Sequence, residues 1–203
     1  MAYVKATERE GQIVAAAIRV LGEVGVGGIT TRAVAVEAGI PLGTLHYVFP
    51  TKDQMLRAVI TTVVDDAMAA ARAGLELDQG VEHAIRHGVT NFWDTLVEGE
   101  PGLQVMQYEL AMYSVRSEGP GGLARLLCER YATLVAEFCE TAARASGERC
   151  AVDFGTLGRL TFAVVDGLIM QHVTDPDLAR SRRDLERAVE MIVGFADPRP
   201  VSR

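Results

Sequence analysis

With 49% of its 203 residues apolar and 23% charged, the chain has material for a sizeable core and too little charge for disorder. No apolar run reaches the ~18 residues of a membrane span, and the opening MAYVKATEREGQ lacks the apolar centre of a secretory signal, so a cytoplasmic location is expected. Net charge is −7, which weighs against a nucleic-acid partner until it is divided: residues 1–60 carry +1 and residues 61–203 carry −8.

Apolar residues recur at helical spacing from the first segment to the last, with short Gly/Pro punctuation between them. Thr7-Glu-Arg-Glu10 reads as a capping box opening a first helix, whose buried face is Ile13, Ala17, Val20, Leu21 and Val24. GEVGVGG ends it. Thr30 is the expected N-cap of a second helix to about Ala38, with Val34, Ala35 and Ala38 inward; Gly39 closes it. A third helix runs from Pro41 or Leu42 to near Phe49, because Pro50 disfavours helical geometry before it. Thr51-Lys-Asp-Gln54 then starts a long fourth helix to about Ala73, spanning roughly 33 Å. Five more are expected at about 79–98, 102–117, 121–146, 153–173 and 180–196. Gly74, Gly99-Glu-Pro101, Gly119-Pro-Gly-Gly122, Ser146-Gly147 and Thr174-Asp-Pro-Asp177 separate them. The expected fold is all-α, nine helices, a three-helix head on a six-helix body. Cys128 and Cys139 share one helix roughly 16 Å apart, beyond the about 7 Å a disulfide allows, so reduced, buried thiols are expected at Cys128, Cys139 and Cys150.

Two short helices joined by about four residues with a glycine form the helix-turn-helix pattern, whose second helix fits a major groove about 12 Å wide. Each residue nearby then has a physical task. Gly43 removes a side chain where backbone must approach DNA. Thr44 offers a hydroxyl to a base or phosphate and a methyl to thymine. His46 and Tyr47 donate hydrogen bonds, and Lys52 and Arg32 bring charge to flanking phosphates, with Thr31 beside Arg32. Leu42 either meets thymine methyls or simply sits exposed. Spacing alone leaves open a helix-turn-helix that never meets DNA.

ITTRAVAVEAGIPLGTLHYVFPTKDQML resembles the N-terminal region of the TetR family of transcriptional repressors. Thr30, Ala38-Gly39-Ile40, Gly43-Thr44-Leu45, Phe49, Lys52-Asp53 and Leu56 stand in that family's register. Pro41, His46 and Val48 depart from its usual serine, tyrosine, and histidine or tyrosine, which bears on the operator sequence and on single contacts. The resemblance implies residues 1–50 as a DNA-binding domain and 51–203 as a ligand-binding and dimerisation domain, with helix four (51–73) connecting them. The implied protein is a homodimeric repressor on a pseudo-palindromic double-stranded DNA operator, bound through residues 30–52 and released by a small-molecule effector. It is not an enzyme and needs no cofactor or membrane.

For the body, the resemblance implies pairing of the last two helices with their symmetry mates, through Leu157, Val164 and Leu168 of the eighth and Leu185, Val189 and Ile192 of the ninth, with Gly158 and Gly167 permitting close approach. Trp93, Gln107, Tyr108, Met112, Phe162, Asp166 and Met170 have the composition of a ligand cavity, and equally that of an ordinary core. The resemblance also puts Glu109, Arg116, Asp166 and Gln171 near the body's interior or its dimer face. Asp166, a carboxylate in an apolar run, either bonds a neighbour or meets a cationic or hydroxylated ligand. His83 and His87 share a helix face at metal-chelating spacing, but with no third ligand nearby a solvated or core-flanking pair is expected, and no metal.

Overall fold

The computed structural model describes residues 2–73, 76–99, 101–117 and 122–201; the punctuation expected at Gly74, Glu100 and 119–121 lies outside them. Among the described residues there are nine α-helices: α1 Ala2–Gly28, α2 Thr31–Glu37, α3 Leu42–Val48, α4 Lys52–Arg72, α5 Val81–Phe92, α6 Pro101–Ser117, α7 Leu123–Ser146, α8 Phe154–Thr174 and α9 Leu178–Ala196. A 3₁₀ turn, Leu77–Gln79, precedes α5, and a π-helical turn, Trp93–Glu98, follows it. Two strands of two residues each, β1 Glu148–Arg149 and β2 Arg199–Pro200, pair antiparallel. No helix among the described residues is long and apolar enough to cross a membrane.

The chain divides into two compact units, residues 1–65 with 105–127 and residues 66–104 with 128–203. The first is organised by α1. Ile13, Ala17, Val20 and Leu21 are buried, as their spacing predicts, where α1 packs on α2 and α3, whose Val34, Ala35 and Leu45 are also buried. Val24 departs from that stripe and is 51% exposed. The helix breaks at Gly25, whose φ of 66° and ψ of 178° turn the chain out of the helical path. At its other end α1 begins at Ala2, so Thr7 lies inside the helix rather than capping it. Thr30 Oγ1 accepts from the Ala33 N–H at 3.1 Å and starts α2. Gly39, at φ 64°, ends it: its N–H donates to the Val36 carbonyl, and the Ile40 N–H reaches back to Ala35 at 3.0 Å. The Gln12 amide donates to the Ala38 carbonyl at 2.7 Å and fixes this turn against α1.

In the second unit α9 lays one stripe, Leu185, Ala188, Val189 and Ile192, into the core shared with α5 and α8. At Gly158, α8 meets α7 so closely that any side chain would run into the Ala132 carbonyl. Asp153 and Asp177 cap α8 and α9 by accepting from the Thr156 and Arg180 N–H groups at 2.8 and 2.9 Å. Hydrogen bonding with the Thr156 side chain, and then with its N–H, holds the Asp153 carboxyl below its usual range, and the Arg180 N–H does the same for Asp177. The small β ladder ties the chain end beside the α7–α8 turn, where Gly147 has a φ of 69°. Of the three free cysteines only Cys139 is buried; Cys128 is exposed and Cys150 half-buried, contrary to the expectation of three buried thiols.

Candidate nucleic-acid interface and ligand cavity

Helix α3 is short because its flanks cannot continue it. The Pro41 carbonyl accepts from the Thr44 and Leu45 N–H groups at 2.9 and 3.3 Å, and Phe49 closes the other end on Leu45 at 2.7 Å, just before Pro50. Within these seven residues Leu45 is fully buried and anchors the helix. Its neighbours face away: Leu42, Gly43 and His46 are exposed, Thr44 is half-buried, and Tyr47 is 88% exposed. A tyrosine so exposed contributes almost nothing to the core and is free to meet a partner. A Cβ at Gly43 would meet nothing within 4 Å, so the chain's own packing does not demand glycine there. At the start of α2, Arg32 is exposed and Thr31 half-buried.

Lys52 behaves differently from a solvated lysine. Its ammonium donates to the Val26 carbonyl at 3.3 Å and lies 5.5 Å from the centre of the Tyr113 ring. Beside it, Glu109 Oε2 accepts from the Val26 N–H at 3.0 Å, next to Gly25. Glu109, Met112, Tyr113 and Arg116 of α6 and residues 24–27 line a groove of about 510 Å³ in the first unit. Glu109 and Arg116 therefore lie on an exposed groove against the end of α1, which corrects their expected place in the body's interior or dimer face.

The seven residues expected around a ligand divide between the units. Gln107, Tyr108 and Met112 belong to the first: Gln107 is buried, Tyr108 half-buried, both engaged by neighbours, and Met112 is exposed. In the second, Trp93 is fully buried and its indole N–H donates to Glu98 Oε1 at 3.0 Å; Glu98 also accepts from Arg182 at 2.7 Å. Asp166 is half-buried and engaged, and Met170 is exposed. Of the seven, only Phe162 lines an apolar cavity described in this unit. That cavity, about 60 Å³, is walled by Phe92, Tyr131, Phe138 and Phe162, with Gly88 and Ala71 among the smaller lining residues. Tyr131 and Phe138 went unnoticed in the sequence because aromatics on α7 at helical spacing carry no mark separating cavity from core. The His83 and His87 rings lie 4.0 Å apart with their planes tilted by 35°, and no group of three or more His, Cys, Asp or Glu among the described residues is arranged to hold a metal.

The residues expected to pair with a second copy need correcting. Leu157, Leu185, Val189 and Ile192 are buried inside this chain, because an amphipathic helix spends its widest apolar stripe on its own core. Gly158 likewise serves contact with α7, not with a partner. Val164 and Leu168 are half-buried, while Leu160 and Met170 on α8 and Met191 and Phe195 on α9 are exposed.

Residues 80–194 match the model of the tetracyclin repressor-like C-terminal domain, and residues 13–59 that of bacterial regulatory proteins of the tetR family. The chain belongs to the TetR family. It is a DNA-binding transcriptional regulator and not an enzyme. It is 25% identical, over 88% of its length and 91% of the relative's, to the HTH-type nicotine-responsive transcriptional repressor HdnoR of Paenarthrobacter nicotinovorans. It is 28% identical to the HTH-type transcriptional regulator BetI of Burkholderia mallei (strain NCTC 10229), over 93% and 92% of the two chains. Among solved structures, the multidrug binding protein EbrR complexed with imidazole superposes with a TM-score of 0.69 at 25% identity, covering 96% of this chain and 93% of EbrR.

Proposed function

We propose that this TetR-family regulator is a cytoplasmic homodimeric repressor that holds a pseudo-palindromic operator through residues 30–52 and releases it when a small molecule binds its C-terminal domain. Residues 1–50 form the DNA-binding domain in this reading, and residues 51–203 the ligand-binding and dimerisation domain. The observation that carries it is the division of labour on α3, with Leu45 inside and Leu42, His46 and Tyr47 outside. A short helix anchored by one leucine presents its other residues to a groove. Thr44 and Gly43 sit where backbone and hydroxyl approach base edges, Arg32 and Thr31 meet the flanking phosphates, and Lys52 reaches one by leaving Val26.

Dimerisation is supported by the exposed Leu160 and Met170 and the half-buried Val164 and Leu168 of α8, and by the exposed Met191 and Phe195 of α9. Two recognition helices must reach grooves about 34–36 Å apart, which a two-fold dimer provides. Response to a small molecule is supported by HdnoR, which is nicotine-responsive, and by EbrR, a multidrug binding protein. Ligand shifts α4 by binding one of its positions better than the other; equal affinity for both would do nothing.

Fluorescence anisotropy with the DNA upstream of the chain's own gene tests the reading. Binding that falls steeply between 50 and 200 mM salt and favours that fragment over random DNA is expected. Equal affinity for both fragments at every salt concentration would contradict it.

A further inference from the structure

The apolar cavity lined by Phe162 in the second unit has walls whose chemistry selects a ligand. Tyr131 and Phe162 lie nearly parallel, 9° between planes and 5.5 Å between centres, so each covers a face of the other. Phe92 meets Tyr131 edge-on at 87° and 5.8 Å. The Arg72 guanidinium sits 4.9 Å from the centre of the Phe138 ring and takes up one of its faces. Aromatic walls attract a cation only through free faces, where the negative part of the quadrupole points. Here much of that face area is already spent, and the guanidinium beside the cavity, itself paired with Glu137 at 3.8 Å, offers a cation no attraction. The remaining lining is aliphatic or glycine. An ion entering would lose its hydration with no counter-charge among the lining residues.

We infer that this cavity binds an uncharged, ring-containing small molecule and discriminates against organic cations of the same shape. The inference rests on the ligand-responsive reading above and names the chemistry of the effector. At about 60 Å³ the cavity is smaller than the ~150 Å³ that holds a benzene ring in a dry protein cavity, so a ligand enters by displacing a wall. Phe92 is the wall placed to move: it is half-buried and ends α5 where the π-helical turn begins, and such turns interrupt the regular hydrogen-bond ladder. Ala71, in the last turn of α4, lines the same cavity, so an occupant touches the helix whose first residue is Lys52.

The full chain is titrated calorimetrically with toluene and with N-methylpyridinium, two rings of one shape that differ by a positive charge. Toluene is expected to bind one site per chain at least tenfold more tightly than N-methylpyridinium. Gly88→Leu, which fills the cavity, is expected to weaken toluene at least tenfold, and Val135→Phe does the same should Gly88→Leu fail to fold. Equal or tighter binding of N-methylpyridinium, no saturable binding of toluene, or unchanged affinity in a folded filled variant overturns the inference. Operator binding is measured on the same samples. A chain that binds operator but not toluene sinks this inference alone; one that binds toluene but never DNA sinks the regulatory reading alone.

Discussion

Tyr47 and Leu45 stand two positions apart on α3, one 88% exposed and the other fully buried. Changing them should have separable effects. Tyr47→Ala is expected to weaken operator affinity on the order of tenfold, about 1.4 kcal/mol, with an unchanged thermal midpoint, as read by anisotropy and by calorimetry of the free protein. Arg32→Ala should lower the salt slope of binding by about one. Cys139 gives a pH prediction. Burial, with nearby Cys150 a lesser cause, raises its thiol to about 12, whereas an unfolded thiol ionises near 8.5. Between those values the unfolded state loses a proton that the folded state keeps, so stability is intact below about 8.5 and falls as pH rises, by at most about 1.4 kcal/mol per unit. Denaturant titrations across this range should show the slope in the parent and a weaker one in Cys139→Ala.

The elements of the head were legible because their ends are written locally. Thr30, Gly39, Pro41 and Pro50 each fix a backbone conformation, and α2 and α3 end within about one residue of expectation. Thr30→Ala is expected to cost about 1 kcal/mol of stability by urea unfolding, through loss of the cap on Ala33. What stayed hidden has no local signature. The Glu109–Val26 bond joins positions 83 apart in the chain, and nothing near either residue announces the other. The π-helical turn at Trp93–Glu98 reads as plain helix, since six residues, little more than one turn, are too few to tell its period from that of an α-helix. Gly158 marks a close approach in the sequence, but the neighbour is α7 and not a second copy, because a glycine does not record what comes near it. Gly158→Leu should destabilise the isolated chain by about 2 kcal/mol through collision with Ala132. A loss confined to association would contradict that placement.

For the whole molecule, the uneven charge fits the proposed division of work: the acid-rich part begins beyond residue 60, and the segment with α2 and α3 is slightly positive, as an approach to phosphate requires. The choice of dimer face was not legible, because α8 is apolar on more than one side and periodicity cannot say which side faces inward. The residues left outside by the fold, Leu160 and Phe195 among them, now mark the candidate surface. Regulation in this reading turns on α3 entering the major groove twice per operator. Methylation protection at guanine N7, an atom exposed in that groove, measures this directly. Two protected patches separated by whole helical turns, both needing about tenfold more protein in Tyr47→Ala, are expected; protection at the same protein concentration in Tyr47→Ala, or none in the major groove of a bound operator, would contradict it.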